Sequence, residues 1–443
     1  MRMKYIMIKN PNIILISCHD IGQHLGCYGI ETIHTPVLDQ FAAEGCRFES
    51  SFCAAPQCSP SRASIYTGRY PHNNGVMGLI HDNFAWDLNP GEQHLADILQ
   101  SAGYRTGLIG IQHETLHPEK HGFADLKQKW EPCEKVAQTS VKYLNEISKT
   151  SQPFYLQVGF WEPHRKFDWG GATPDDSKGI TVPPYLVDSP SARREFAEFQ
   201  GIIRKVDRAI GTILKAIDDN GLVENTITIF TADHGIPFPK AKCSLYDPGI
   251  EVAFIIRWPD RGWGGNRTFS ELISNVDYLP TLLEAAGIPI PENVQGNSLV
   301  SLLDGKEYRP REEIFAEMTY HDYYDPRRCI RTSDYKLIVN FSTAPFFQNP
   351  SQTWRPATIT VKPEDPTYAY HPHIELYDLN KDPLEFNNVE NQPEYEEHKQ
   401  RLTEKLYNWM NTTHDPLLFG IPVSPHHKRA IEILSSAGKR SMS

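Results

Sequence analysis

The clearest pattern along the chain is the run Asn12-Ile13-Ile14-Leu15-Ile16-Ser17. Four consecutive apolar residues without polar alternation predict a strand covered on both faces, as in a parallel sheet. Similar runs at residues 104–110, 153–160, 226–231 and 252–257 predict further strands. Helical spacing separates them. Residues 35–45 place Val37, Leu38, Phe41 and Ala42 on one face, residues 94–102 end at Gly103, and residues 194–220 form a long amphipathic stretch closed by Gly221. Strands alternating with helices predict an α/β fold, a large mixed sheet sandwiched by helices.

From about Arg309-Pro310 the pattern changes. Tyr335-Lys336-Leu337-Ile338-Val339 and Glu375-Leu376-Tyr377-Asp378-Leu379 alternate with period two, and residues 394–411 put Leu402, Leu406 and Trp409 on one helix face. A smaller antiparallel sheet with a helix is expected, giving a large domain over 1–308 and a C-terminal subdomain over 309–443. Residues 341–373, rich in proline and aromatics, are expected to form a long loop, and the tail after Pro416 is weakly patterned.

Composition narrows the partners. The 44 basic and 55 acidic residues leave a net charge of −11, which argues against nucleic acid or an anionic membrane as partner. An anionic substrate would need a local positive site. The apolar run Tyr5-Ile6-Met7-Ile8 is too short for a signal-peptide core, and no run is long enough to span a membrane, so a cytoplasmic location is expected. The eight cysteines show no zinc-type spacing and are expected to be mostly reduced, with Cys27, Cys46, Cys53, Cys133, Cys243 and Cys329 as free thiols.

Candidate chemistry gathers just past the predicted strands: Cys18-His19-Asp20, Ile111-Gln112-His113, Pro163-His164-Arg165 and Asp233-His234-Gly235. Open α/β sheets place their sites at such strand ends. Taken singly, each residue has an ordinary structural role to fall back on. Four such ends in one alternating pattern argue for one shared site. Cys58-Ser59-Pro60-Ser61-Arg62 reads as a turn feeding a helix, with a nucleophile near the helix N-terminus and an arginine one turn on. His72, His81 and His321 are further candidates to line a cleft.

These residues together resemble the type I sulfatases. The resemblance is carried by Cys58-Ser59-Pro60-Ser61-Arg62 with Thr67-Gly68-Arg69, Gly110-x-x-His113, Pro163-His164-Arg165, Asp233-His234-Gly235 with Lys242, and Leu376-Tyr377-Asp378-Leu379-x-x-Asp382-Pro383-x-Glu385. It covers residues 11–416. Within the family, Gly235-Ile236-Pro237-Phe238-Pro239, Arg105-Thr106-Gly107 and Thr413-His414-Asp415-Pro416 are most similar to the heparan N-sulfatases.

The resemblance implies an alkaline-phosphatase-like fold and hydrolysis of a sulfate ester or sulfamate on a small sulfated saccharide. It implies that a formylglycine-generating or anaerobic sulfatase-maturing enzyme converts Cys58 to formylglycine, whose hydrate is the nucleophile. Arg62 would stabilise that hydrate and Lys242 the sulfate oxygens, with His113 as base and His164 as general acid. One divalent metal would be held by His19, Asp20, Cys58, Asp233 and His234. Calcium is the family default, but His19 stands where an aspartate is usual and His234 where asparagine is frequent, which brings manganese or zinc into consideration. Ile111 stands where the family has a lysine, with Gln112 the nearest replacement. A homodimer is also implied. Two other readings stay open: a phosphate or phosphonate ester hydrolase on the same fold, and a catalytically weak sulfated-glycan binder.

Overall fold

The computed structural model describes residues 10–81, 84–344 and 370–441. Its strands begin with β1 (Asn12–Cys18), β2 (Cys46–Phe48), β3 (Ser51–Phe52), β4 (Arg105–Gly110), β5 (Asp125–Gln128), β6 (Phe154–Gly159) and β7 (Thr226–Ala232). They continue with β8 (Phe254–Arg257), β9 (Arg267–Phe269) and β10 (Ile273–Ser274), then β11 (Glu313–Tyr320), β12 (Tyr324–Thr332), β13 (Tyr335–Asn340) and β14 (Ile374–Asp378). Eight of them form one sheet in the order β5-β4-β6-β1-β7-β8-β2-β9, while β10 pairs with β3.

From β5 to β7 the sheet is wholly parallel, so the C-terminal ends of β4, β6, β1 and β7 share one edge. The expected fifth strand exists but runs antiparallel to β7. The central strand β1 explains its unbroken apolar run. Ile14, Ile16 and Cys18 pack in one core, and Ile13 and Leu15 pack in the other. Helices Pro36–Glu44, Cys133–Ile147 and Pro190–Asp219 cover the first face. Helices Cys58–Thr67, Leu95–Ser101 and Tyr278–Ala285 cover the second. Each buried aliphatic side chain contributes about 1.5–3 kcal/mol, so losing one of Ile13 to Ile16 would take a sizeable share of a typical net stability of about 5–15 kcal/mol.

The long helix begins four residues before the expected Arg194, because the Ser189 hydroxyl accepts from the Ala192 N–H and Pro190 takes the first helical position. The helix Cys133–Ile147 was not anticipated. Its buried residues Val136, Ala137, Ser140, Tyr143, Leu144 and Ile147 do carry the helical spacing, diluted by polar neighbours.

The last four strands form an antiparallel sheet in the order β11-β12-β13-β14. Helix Glu396–Thr412 packs Leu402, Leu406, Trp409 and Met410 against Ile330, Leu337 and Leu376 of that sheet. This second sheet also steadies the large one. Lys336 of β13 donates to the Leu245 carbonyl and pairs with Asp247, and the Tyr246 hydroxyl donates to Glu375 of β14. The loop carrying Lys242 is thereby tied down a few residues beyond it. Most of the expected loop over 341–373 lies outside the described residues, and the tail contains a helix, Pro425–Ser441, capped by the Ser424 hydroxyl. Among the described residues no helix is long and apolar enough to cross a membrane.

Candidate active site

Helix Cys58–Thr67 starts beside the shared edge of the parallel strands, and all ten of its residues are buried. Its hydroxyls are satisfied inside the fold. Ser61 donates to the Asp233 carbonyl and accepts from Asn275, while Ser64 and Thr67 donate one turn back to Pro60 and Ala63. Just ahead of Cys58, the Gln57 amide donates to the Tyr320 carbonyl at the end of β11. Both sheets therefore fix where the helix begins.

The strand ends converge on Cys58. Ligand atoms of His19, Asp20, Cys58 and Asp233 all lie within 4.8 Å of one another. His234 joins them, with Nε2 3.3 Å from the Cys58 Sγ, 3.3 Å from Asp20 Oδ1 and 3.6 Å from Asp233 Oδ1. Arg62 donates from Nε to Asp233 Oδ2 at 3.1 Å and from Nη1 to Ser17, while its Nη2 has no hydrogen-bond partner among the described residues. Lys242 Nζ donates to both oxygens of Asp20, at 2.9 and 3.0 Å. Asp20 itself sits at φ 52°, a left-handed conformation that aspartate tolerates better than most residues.

Glycines bring the His113 loop to this centre. A Cβ on Gly110 would stand 2.2 Å from the Gly159 carbonyl oxygen, and one on Gly159 would stand 1.8 Å from that of Ile111. The ends of β4 and β6 can touch only because neither residue has a side chain. His113 then lies with His19 and Cys58 within 4.8 Å, its Nε2 2.9 Å from His81 Nδ1. His164 stacks on Trp161 and puts Nε2 3.9 Å from Asp20 Oδ2, its Nδ1 directed at the Arg165 carbonyl at 2.6 Å.

Charge is balanced tightly here. Burial works against ionisation of Asp20, yet the Lys242 ammonium together with His164 and His234 outweighs it and holds the carboxyl down to about 2. Burial likewise opposes the charge of Asp233, and His234, His19 and Arg62 keep it well below the carboxylate range. Burial lowers His19 to about 4, with Arg62 adding to the effect, and burial with Lys242 lowers His164 to about 3. Burial and the nearby His19 and His81 push His113 well down too. The Cys58 thiol moves the other way, raised by burial. A protonated thiol is a poor nucleophile, so this cysteine is badly placed to react as cysteine.

The residues suit a divalent cation. Two carboxylates and two imidazoles meet, His19 Nε2 is buried without a hydrogen-bond partner, and His234 Nδ1 at 2.9 Å from the Gly235 carbonyl acts as donor. Nε2 of His234 then presents a lone pair to carboxylate oxygens, an arrangement that a metal ion relieves.

All nine residues anticipated from the sequence, His19, Asp20, Cys58, Arg62, His113, His164, Asp233, His234 and Lys242, meet in this one place. Gln112 does not replace the missing lysine. Its amide bonds the Thr115 carbonyl and the backbone N–H groups of Glu114 and Thr115, folding back into its own loop. His81 and His321 line the 280 Å³ cleft over Cys58, together with Trp161 and Lys242. His72 does not, being paired instead with Glu317. Asp322 also lines the cleft, and it escapes sequence reasoning because its neighbours carry no motif. All eight cysteines are free thiols.

Comparison with known proteins agrees with this geometry. The family model described as Sulfatase matches residues 11–288, and that described as N-sulphoglucosamine sulphohydrolase, C-terminal, matches residues 237–349. The chain is 28% identical over 459 residues to N-sulphoglucosamine sulphohydrolase of Homo sapiens, covering 91% of each chain. Among solved structures, one in complex with its substrate D-glucosamine-2-N,6-O-disulfate superposes with a TM-score of 0.72 at 21% identity, covering 92% of this chain and 99% of that one. The phosphonate monoester hydrolase of Agrobacterium radiobacter shares the fold at a TM-score of 0.69 and 19% identity, over 91% and 96% of the two chains.

Proposed function

The chain belongs to the sulfatase family, and from that premise we propose that it removes sulfate from a sugar with a formylglycine nucleophile made from Cys58. The observation that carries the proposal is the position of Cys58. It is a buried, protonated thiol at the focus of four strand ends, 3.3 Å from a histidine that also faces Asp20. Such a cysteine makes little sense as a nucleophile and good sense as a precursor.

Matured to formylglycine and hydrated, residue 58 would carry two hydroxyls on one carbon, one to attack sulfur and one to let sulfate leave. His19, Asp20, Asp233 and His234 would hold one divalent ion with residue 58, and that ion would polarise sulfur as a Lewis acid. Two imidazoles beside two carboxylates suit manganese or zinc better than the oxygen-only cages usual for calcium. Arg62 would aim its unpartnered Nη2 at the nucleophile, and Lys242 would supply the second cation against the sulfate oxygens. Neither Ile111, which is apolar, nor Gln112, which is turned away, would add a further positive charge.

His113, held neutral by burial, is suited to accept a proton, and His81 at 2.9 Å would fix its ring. His164 would protonate the leaving oxygen or nitrogen. Burial disfavours its charged form, and an incoming sulfate anion works in the opposite direction. The human relative is named for N-sulphoglucosamine, and a structural neighbour for a 2-N,6-O-disulfated glucosamine, which supports a sulfated amino sugar as substrate class. Maturation would need a formylglycine-generating or anaerobic sulfatase-maturing enzyme.

The test is sulfate release from a panel: an aryl sulfate, N-sulfoglucosamine, O-sulfated monosaccharides and an aryl phosphate. Release of sulfate from a sugar supports the proposal. Phosphate turnover exceeding every sulfate would favour a phosphate or phosphonate ester hydrolase instead, and binding without turnover despite confirmed formylglycine would indicate a glycan binder.

A further inference from the structure

The cleft over Cys58 does not end at its own walls. A second cavity of about 340 Å³ adjoins it and shares Phe84, His321 and Asp322 with it. The shared wall is the tight turn between β11 and β12, where Tyr320 pairs with Tyr324 and the His321 N–H donates to the Tyr323 carbonyl. That turn is placed relative to residue 58 by the bond from Gln57 to the Tyr320 carbonyl. The far wall comes from the C-terminal segment. The Tyr320 hydroxyl donates to the Pro422 carbonyl at 2.7 Å, which seats Ser424 and His426 against the second cavity.

We infer that this second cavity is a saccharide subsite, holding the sugar ring next to the sulfated one. The inference rests on the proposed sulfatase activity toward a sugar. Trp86, Tyr320, Tyr323 and Tyr324 line it with aromatic surface, with Tyr320 centred 5.1 Å from Trp86 and 5.0 Å from Tyr324. Aromatic faces match the apolar C–H faces of a pyranose, and the Asp322 carboxylate, Ser424 hydroxyl and His426 ring supply polar partners for its hydroxyl edge. The two cavities, 280 and 340 Å³, are each close to the lower limit of about 300 Å³ for ordinary ligand pockets. One ring in each, with the His321–Asp322 turn between them, accounts for both. Two adjoining cavities are also what a two-ring ligand would fill and a lone monosaccharide would not. The C-terminal segment, unpatterned in sequence, acquires a role as a wall of the second cavity.

The experiment compares kcat/KM for sulfated monosaccharides, N-sulfoglucosamine and glucosamine 6-sulfate, with the disaccharides that extend each by one ring. An aryl sulfate is run alongside. For whichever pair is turned over, the wild-type chain is expected to prefer the disaccharide by about tenfold, mostly through KM, as one good stacking contact allows. Tyr323→Ala, at a residue 45% exposed, and His426→Ala at an exposed position are each expected to bring the ratio to within about twofold of unity. Equal kcat/KM for the two members of the pair, or a preference that survives both substitutions, would overturn the subsite while leaving the sulfatase reading intact. Turnover of the aryl sulfate alone would overturn the saccharide assignment. No sulfate release from any member would overturn the activity, and the subsite with it.

Discussion

Two buried clusters in this molecule are built from the same kinds of residue, and they behave differently. One is the group of His19, Asp20, Asp233 and His234 around Cys58. The other joins His72, Glu317 and Asp415, whose ligand-type atoms also lie within 4.8 Å of one another. In the second cluster every carboxylate oxygen meets a donor, although His72 Nε2 is buried without a hydrogen-bond partner. His72 turns Nδ1 to Glu317 Oε2 and donates its backbone N–H to Glu317 Oε1 at 2.9 Å. Arg328 forks onto Asp415 at 2.5 and 3.0 Å and donates its remaining N–H groups to Met318 and Thr319. A resident cation already balances that cluster, and it lines neither cavity described above. In the first, an imidazole lone pair faces carboxylate oxygens, and the group opens into a cleft. Residue type alone does not separate a site from a strut; a lone pair turned on carboxylates and an opening to a cleft do.

The largest effect should fall on Cys58. Cys58→Ala is expected to lower sulfate release at least about a thousandfold while the melting temperature moves by no more than about 4 °C. A variant retaining a tenth of the activity would erase the distinction between the clusters. Arg328→Met should do the opposite, costing about 3 kcal/mol of stability by denaturant titration because Asp415 loses its buried partner. Bound metal per chain should not change in that variant, and a loss of metal would show that the strut is a site. Chelation is expected to reduce turnover by more than about 100-fold, with manganese or zinc restoring more than calcium does. Full activity after verified metal removal would contradict the cage. The smallest effect is expected from His72→Asn, about 1–2 kcal/mol of stability from the unsatisfied Glu317 carboxylate, with kcat/KM on an aryl sulfate preserved. A selective loss of activity there would make the second cluster functional.

The parallel core was legible because β1, β4, β6 and β7 are covered on both faces, which leaves unbroken apolar runs in the sequence. The short strand β5 was not, since half-exposed residues such as Leu126 and Lys127 carry no such signal. The site residues were legible for a related reason. The chain must leave the sheet at strand ends, and the polar residues placed there had no core to serve. What stayed hidden was tertiary. Nothing local says that Gln112 folds onto Thr115, that His72 pairs with a glutamate 245 positions away, or that a turn at His321 would reach the nucleophile's helix.

The central claim is that Cys58 is a precursor and not the nucleophile. Mass spectrometry of the peptide containing residue 58, from protein produced with a sulfatase-maturing enzyme and shown to release sulfate, tests it directly. The expected mass is that of formylglycine, in which an aldehyde oxygen replaces the thiol sulfur and two hydrogens are lost, in proportion to specific activity. An unmodified Cys58 in fully active protein would contradict it.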